Sequence, residues 1–125
     1  MTWNGTINVT YDDEHNRQLI SVNIDEFCYF ELVKKKIVGH TLTSTYLLPW
    51  NGMKVLIALL RTSCNHFERM DKAYIVNLHK IKRIDWEWGI LYFHEQPKDM
   101  TKRCYIAETY ISELRQRLKQ MNVQL

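Results

Sequence analysis

A mainly β, antiparallel fold with two short helices is what this sequence predicts. Three observations carry that expectation. Apolar residues recur at period two through most of the 125 residues. The polar stretches between them are short, which favours antiparallel neighbours over crossover connections. Only the windows 52–62 and 108–121 place apolar residues at helical spacing.

The elements follow in order. Ile7 to Tyr11 is a short alternating strand, and Asp12, Asp13, Glu14, His15 and Asn16 form a polar turn. From Gln18 to Ile24, the residues Ile20, Val22 and Ile24 share one face, as in a half-buried strand. Phe27 to Val33 is aromatic-rich and runs into Lys34, Lys35 and Lys36, which lie near a hairpin tip. Lys36 to Tyr46 reads as one returning strand whose threonines suit a pleated surface. Pro49, Trp50, Asn51 and Gly52 interrupt the β pattern, with Asn51 as a candidate helix cap. Met53, Leu56, Ile57 and Leu60 then form a helical stripe that leaves Lys54 and Arg61 outside it. Thr62 to His66 is a polar loop. Strands return at Phe67, Ala73–Leu78, Ile81–Trp86, Ile90–His94 and Arg103–Ile106. Turns fall at Glu87–Gly89 and Gln96–Asp99. In the last helix Tyr110, Ile111, Leu114 and Leu118 form the apolar stripe. Arg115, Arg117 and Lys119 flank it, and they also complement its C-terminal dipole.

Composition bounds the function. The chain is 46% hydrophobic and 25% charged, as in a globular domain, and its length suits one domain over residues 1–125. The longest apolar run, within Val55–Leu60, is far too short for a helical membrane span. The N-terminus lacks a basic region followed by an apolar core, so a cytoplasmic location is the default expectation. The formal net charge is only +3, but the lysines and arginines cluster while the acids concentrate near the N-terminus, so one face can be basic. Cys28, Cys64 and Cys104 are odd in number and far apart; they read as reduced thiols, at least two of them packed.

No catalytic constellation stands out. Gly5, Gly39, Gly52 and Gly89 are isolated, so there is no phosphate loop, and neither HExxH nor GxSxG occurs. Cys64 and His66 are too loosely placed to specify nucleophilic or metal chemistry, and no third ligand is evident. No enzymatic activity, metal, cofactor or small-molecule substrate is expected.

The segment Phe67 to Ile81 carries the most information. A charged tip with Arg69, Asp71 and Lys72 runs into a β-branched strand ending in Asn77, Leu78 and a second basic cluster. Phe67, Arg69, Tyr74, Ile75, Val76, Asn77, Leu78 and Ile81 together resemble the signature of the LytTR-type DNA-binding domain of bacterial response regulators. Val22 to Glu31, the helix around Met53–Leu60 and the segment Tyr105–Leu118 are similar to that family's other elements. The resemblance implies about ten short, mostly antiparallel strands in three small sheets, with one short internal helix and a C-terminal helix. It also implies contact with DNA through three loops, which map to Lys34–Lys36, Arg69–Tyr74 and Ala107–Tyr110. The chain departs from the family at Asp71 and Lys72, where His and Arg or Asn are usual, and at Ala73, where Ser is usual; at Ala107, Glu108 and Thr109 the family commonly has Ser followed by one or two basic residues.

The DNA-contacting residues expected on this basis are Lys34, Lys35, Lys36, Arg69, Lys72, Asn77, Lys102, Arg103 and Thr109. Each has a plainer alternative. The lysine triplet can be a solvated tip, Lys80, Lys82 and Arg83 an exposed strand face, and Asn77 an amide that ties down backbone. Trp86 and Trp88 can stack on single strands, or simply pack in a hairpin turn. The partner implied is double-stranded DNA at promoter direct repeats, bound by a homodimer acting as a transcriptional regulator. Control is then expected from a regulatory protein (a membrane protein among the candidates), from expression level, or from a receiver domain beyond these residues. The alternative is a protein-interaction or inhibitory module on the same fold. One apolar patch joining Trp3, Trp50 and Trp88 would favour the module. A basic face joining Lys34, Lys72 and Lys102 would favour DNA.

Overall fold

The computed structural model describes residues 5–12, 15, 17–63, 66–96, 102–123 and 125. The turn predicted at Gln96–Asp99 falls mostly outside them, as do Trp3 and Cys64. Among the described residues, ten strands form two sheets rather than three. The larger has the order β2-β1-β5-β4-β3-β7-β6 and is antiparallel throughout. Its strands are β1 (Thr6–Tyr11), β2 (Leu19–Asn23), β3 (Tyr29–Val33), β4 (Lys36–His40), β5 (Thr45–Asn51), β6 (Phe67–Asp71) and β7 (Tyr74–Asn77). The smaller sheet holds β8 (Arg83–Asp85), β9 (Ile90–Tyr92) and β10 (Arg103–Tyr105), in the order β10-β9-β8.

Strand alternation sorts the apolar side chains into two cores. Phe30 and Ile75 join Ile7, Val9, Val22, Phe27 and Leu48 on one face of the large sheet, where α1 (Lys54–Ser63) seats Leu56 and Leu60. Tyr29 and Val76 point the other way, toward Leu91, Phe93 and Cys104, and toward Leu114 and Leu118 of α2 (Ile111–Gln120). β3 and β7 are therefore covered on both faces. Gly39 on β4 makes room for this packing: a Cβ there would lie 2.5 Å from the Phe27 ring.

Four local expectations change. The segment Lys36–Tyr46 is two strands, because the Thr41 hydroxyl accepts the Ser44 N–H at 3.0 Å and closes a turn. β5 continues through Pro49 to Asn51. Its register against β4 shifts between Lys36 and Val38, and such an irregularity is where a strand tolerates proline. Asn51 does not cap α1; its Oδ1 accepts from Lys36 Nζ at 3.1 Å. The last helix begins with a 3-10 turn at Glu108–Tyr110 before α2. Among the described residues no helix is long and apolar enough to cross a membrane.

Candidate nucleic-acid interface

Three backbone hydrogen bonds gather four distant segments at one end of the large sheet. Leu32 N–H donates to the Ala73 carbonyl at 2.8 Å, setting the β3–β4 hairpin tip beside the β6–β7 turn. Gly52 N–H donates to the Lys35 carbonyl at 2.8 Å, bringing the start of α1 against the same tip. Ala107 N–H donates to the Met70 carbonyl at 2.8 Å, so the segment before α2 docks on β6 next to that turn. Lys34, Lys35, Lys36, Lys54, Arg69, Lys72 and Thr109 are all exposed at this end.

The hairpin tip is conformationally costly. Lys34 has φ +48° and Lys35 φ +70°, the left-handed region that a two-residue type I′ turn needs. Asn-Gly adopts it at little cost, whereas a side chain such as lysine costs roughly 1–2 kcal/mol per residue.

The β6–β7 turn is held by its own charged side chains. Arg69 Nη2 donates to the Lys72 carbonyl at 2.8 Å, and its Nε to the Asp71 carbonyl at 3.2 Å. Asp71 Oδ1 accepts the Lys72 N–H at 2.6 Å. Arg69 and Asp71 thus fix the turn, and Lys72 projects from it. Beneath, Tyr74 Oη donates to Glu31 Oε2 at 3.2 Å, while His40 Nε2 meets Glu31 Oε1 at 3.0 Å. Burial, with Glu31 adding to it, raises the Tyr74 pKa to about 12, so this phenol stays protonated.

Other residues from the sequence-based set lie elsewhere. Asn77 is 1% exposed; its Nδ2 donates to the Phe27 carbonyl at 3.0 Å and its Oδ1 accepts the His79 N–H at 3.0 Å. It ties backbone together and has no surface to offer DNA. Lys102 donates to the Ser44 carbonyl and to Thr45 Oγ1, on the β4–β5 turn. That turn lies at the far end of β4, about 13 Å from Lys36 at strand rise. Burial lowers the Lys102 pKa. Arg103 covers Tyr92 with its guanidinium carbon 5.2 Å from the ring centroid. Among the described residues, therefore, no basic face joins Lys102 to Lys34 and Lys72. The sequence does not mark Lys54 as part of this end, because contacts between distant segments, Gly52 N–H to the Lys35 carbonyl and Lys36 Nζ to Asn51 Oδ1, bring it to the hairpin tip.

Trp86 lies beneath Arg115 and donates to the Leu125 carbonyl, while Trp88 is 73% exposed in the adjoining turn. Trp50 packs against the first core, so it does not share a patch with Trp88. Cys28 and Cys104 are buried free thiols, and burial raises the Cys28 pKa to about 11. His66 pairs with Asp25 at 2.9 Å and stacks on His79, and no cluster among the described residues suits a metal.

Residues 17–119 match the LytTr DNA-binding domain family. The chain belongs to that family. No curated protein matches it. Among solved structures, its fold resembles the LytTr DNA-binding domain of a putative methyl-accepting/DNA response regulator from Bacillus cereus. The TM-score is 0.67 at 24% identity, covering 91% of this chain and 98% of that one. In this LytTr domain Val76 and Asn77 are buried, whereas Lys72 and Glu108 are exposed in the two turns that meet beside β6.

Proposed function

We propose that this LytTr domain binds double-stranded DNA sequence-specifically as a bacterial transcriptional regulator. The contact surface is the end of the large sheet that carries Lys34, Lys35, Lys36, Lys54, Lys72 and Thr109. What supports the reading is that the Leu32–Ala73 and Met70–Ala107 backbone bonds bring three sequence-distant loops together there. Phosphates are met by the lysines of the hairpin tip and of α1, which supply affinity and position. Lys72, held out by Arg69 and Asp71, reaches a base edge as a single donor group rather than a bidentate fork. Two copies act on promoter direct repeats in the cytoplasm, under the control of a regulatory protein. Selection from a random duplex pool tests the proposal. It predicts an enriched repeat with its halves about one helical turn apart; recovery of no duplex above background at low salt contradicts it.

A further inference from the structure

A cleft between α1 and the edge strand β6 lies beside the proposed DNA surface and shares only Arg69 with it. It encloses about 180 Å³ and is lined by Ile57, Leu60, Phe67 and Ile75, with Arg61, Glu68 and Arg69 also on its walls. Leu60 and Ile75 are 5% and 3% exposed, so the floor belongs to the first core. An apolar cavity of roughly 150 Å³ is enough to hold one benzene ring. The space here therefore suits a single ring or a short branched chain.

The polar walls select charge. Glu68 is occupied by Arg117, whose Nε donates to its Oε1 at 2.6 Å. Arg61 is exposed, and its guanidinium has no hydrogen-bond or ion-pair partner among the described residues. Arg69 commits Nε and one Nη2 proton to the turn carbonyls, and a guanidinium has five N–H donors, so three remain. A carboxylate accepts paired N–H donors from such a fork in charge-assisted bonds about twice as strong as those to a neutral group.

We infer that the α1–β6 cleft binds a small carboxylic acid carrying one ring or a short branched chain. The apolar part sits on Ile57, Leu60, Phe67 and Ile75, and the carboxylate pairs with Arg61 and reaches Arg69. Because Arg69 holds the Asp71 and Lys72 carbonyls, an occupant of this cleft is felt at the β6–β7 turn. Binding itself needs no DNA.

Methyl and amide NMR spectra of the protein, titrated with sodium benzoate, test this directly. The expected result is a saturable shift of the Ile57, Leu60 and Ile75 methyls, with a Kd of about 1 mM or below for so few ligand atoms. The Asp71 and Lys72 amides should move along the same binding curve. Ile57→Trp, which fills the cleft, should abolish the shifts. Arg61→Gln, a surface change, should weaken binding about tenfold, and benzyl alcohol should bind the unaltered protein at least about tenfold more weakly than benzoate. Shifts that rise linearly without saturating, that survive Ile57→Trp, or that are matched by benzyl alcohol would overturn the site. Static Asp71 and Lys72 amides during a saturable titration would overturn the contact with Arg69.

Discussion

Arg69 holds the turn from which Lys72 projects: its Nη2 donates to the Lys72 carbonyl at 2.8 Å. The two residues sit three apart on an exposed turn, yet their roles separate. Arg69→Ala should loosen the turn, costing about 1 kcal/mol of stability along with DNA affinity. Lys72→Ala should leave stability within about 0.5 kcal/mol and lower DNA affinity by roughly 1–3 kcal/mol. Urea unfolding beside a duplex titration of each variant distinguishes the two roles.

Lys34 and Lys35 occupy backbone conformations better suited to Asn and Gly. Replacing them as Lys34→Asn with Lys35→Gly should raise stability by at least about 1 kcal/mol. The same change should weaken DNA binding and reduce its salt dependence. A hairpin that gains stability without losing DNA affinity would show that the lysines are not there for phosphate.

Lys102 and Asn77 stand for the opposite case, functional in sequence appearance but structural in place. Lys102→Met removes the bridge to Ser44 and Thr45 and should cost about 1–2 kcal/mol of stability with DNA affinity unchanged. Asn77→Ala leaves the buried Phe27 carbonyl without its side-chain donor and should cost at least about 2 kcal/mol. Thermal unfolding and duplex titration read both effects.

Acidification should destabilise the fold through His40. Burial lowers its pKa below the ordinary value near 6.5, outweighing the hydrogen bond to Glu31, which pulls the other way. Its Nδ1 is buried without a partner, so protonation there would create an unsatisfied donor. A lowered folded pKa means that the unfolded chain takes up the proton first. The stabilising contribution is therefore complete above about pH 6.5 and is lost as pH falls through the lower folded value. His66, lowered by burial and by His79, acts in the same direction. Urea midpoints measured from pH 8 to pH 5 should fall on the acid side, and His40→Gln should flatten that fall.

The fold was legible where physics is local. Period-two alternation gave the strands, and the stripes at Leu56–Leu60 and Leu114–Leu118 gave both helices. The turn at Thr41–Ser44 was missed because a threonine hydroxyl, rather than glycine or proline, closes it. Pro49 misled because a shifted register allows it in a strand. The candidate site was half legible. Lys34 and Lys72 were visible as charged tips, but the bonds that join them are backbone contacts across more than forty residues, which leave no trace in composition. Lys102 looked like its neighbours in charge, and only the β4–β5 turn beside it reveals its different use.

The salt dependence of duplex binding tests the central claim most directly. Each phosphate neutralised contributes a slope of about −0.9 in log K against log salt. For the variant Lys34→Ala with Lys35→Ala and Lys72→Ala, the predicted slope is shallower by about 0.9 for each lysine that meets a phosphate, with at least two of the three lost. An unchanged slope and affinity in that variant would contradict the account and move the DNA contact away from this end of the sheet.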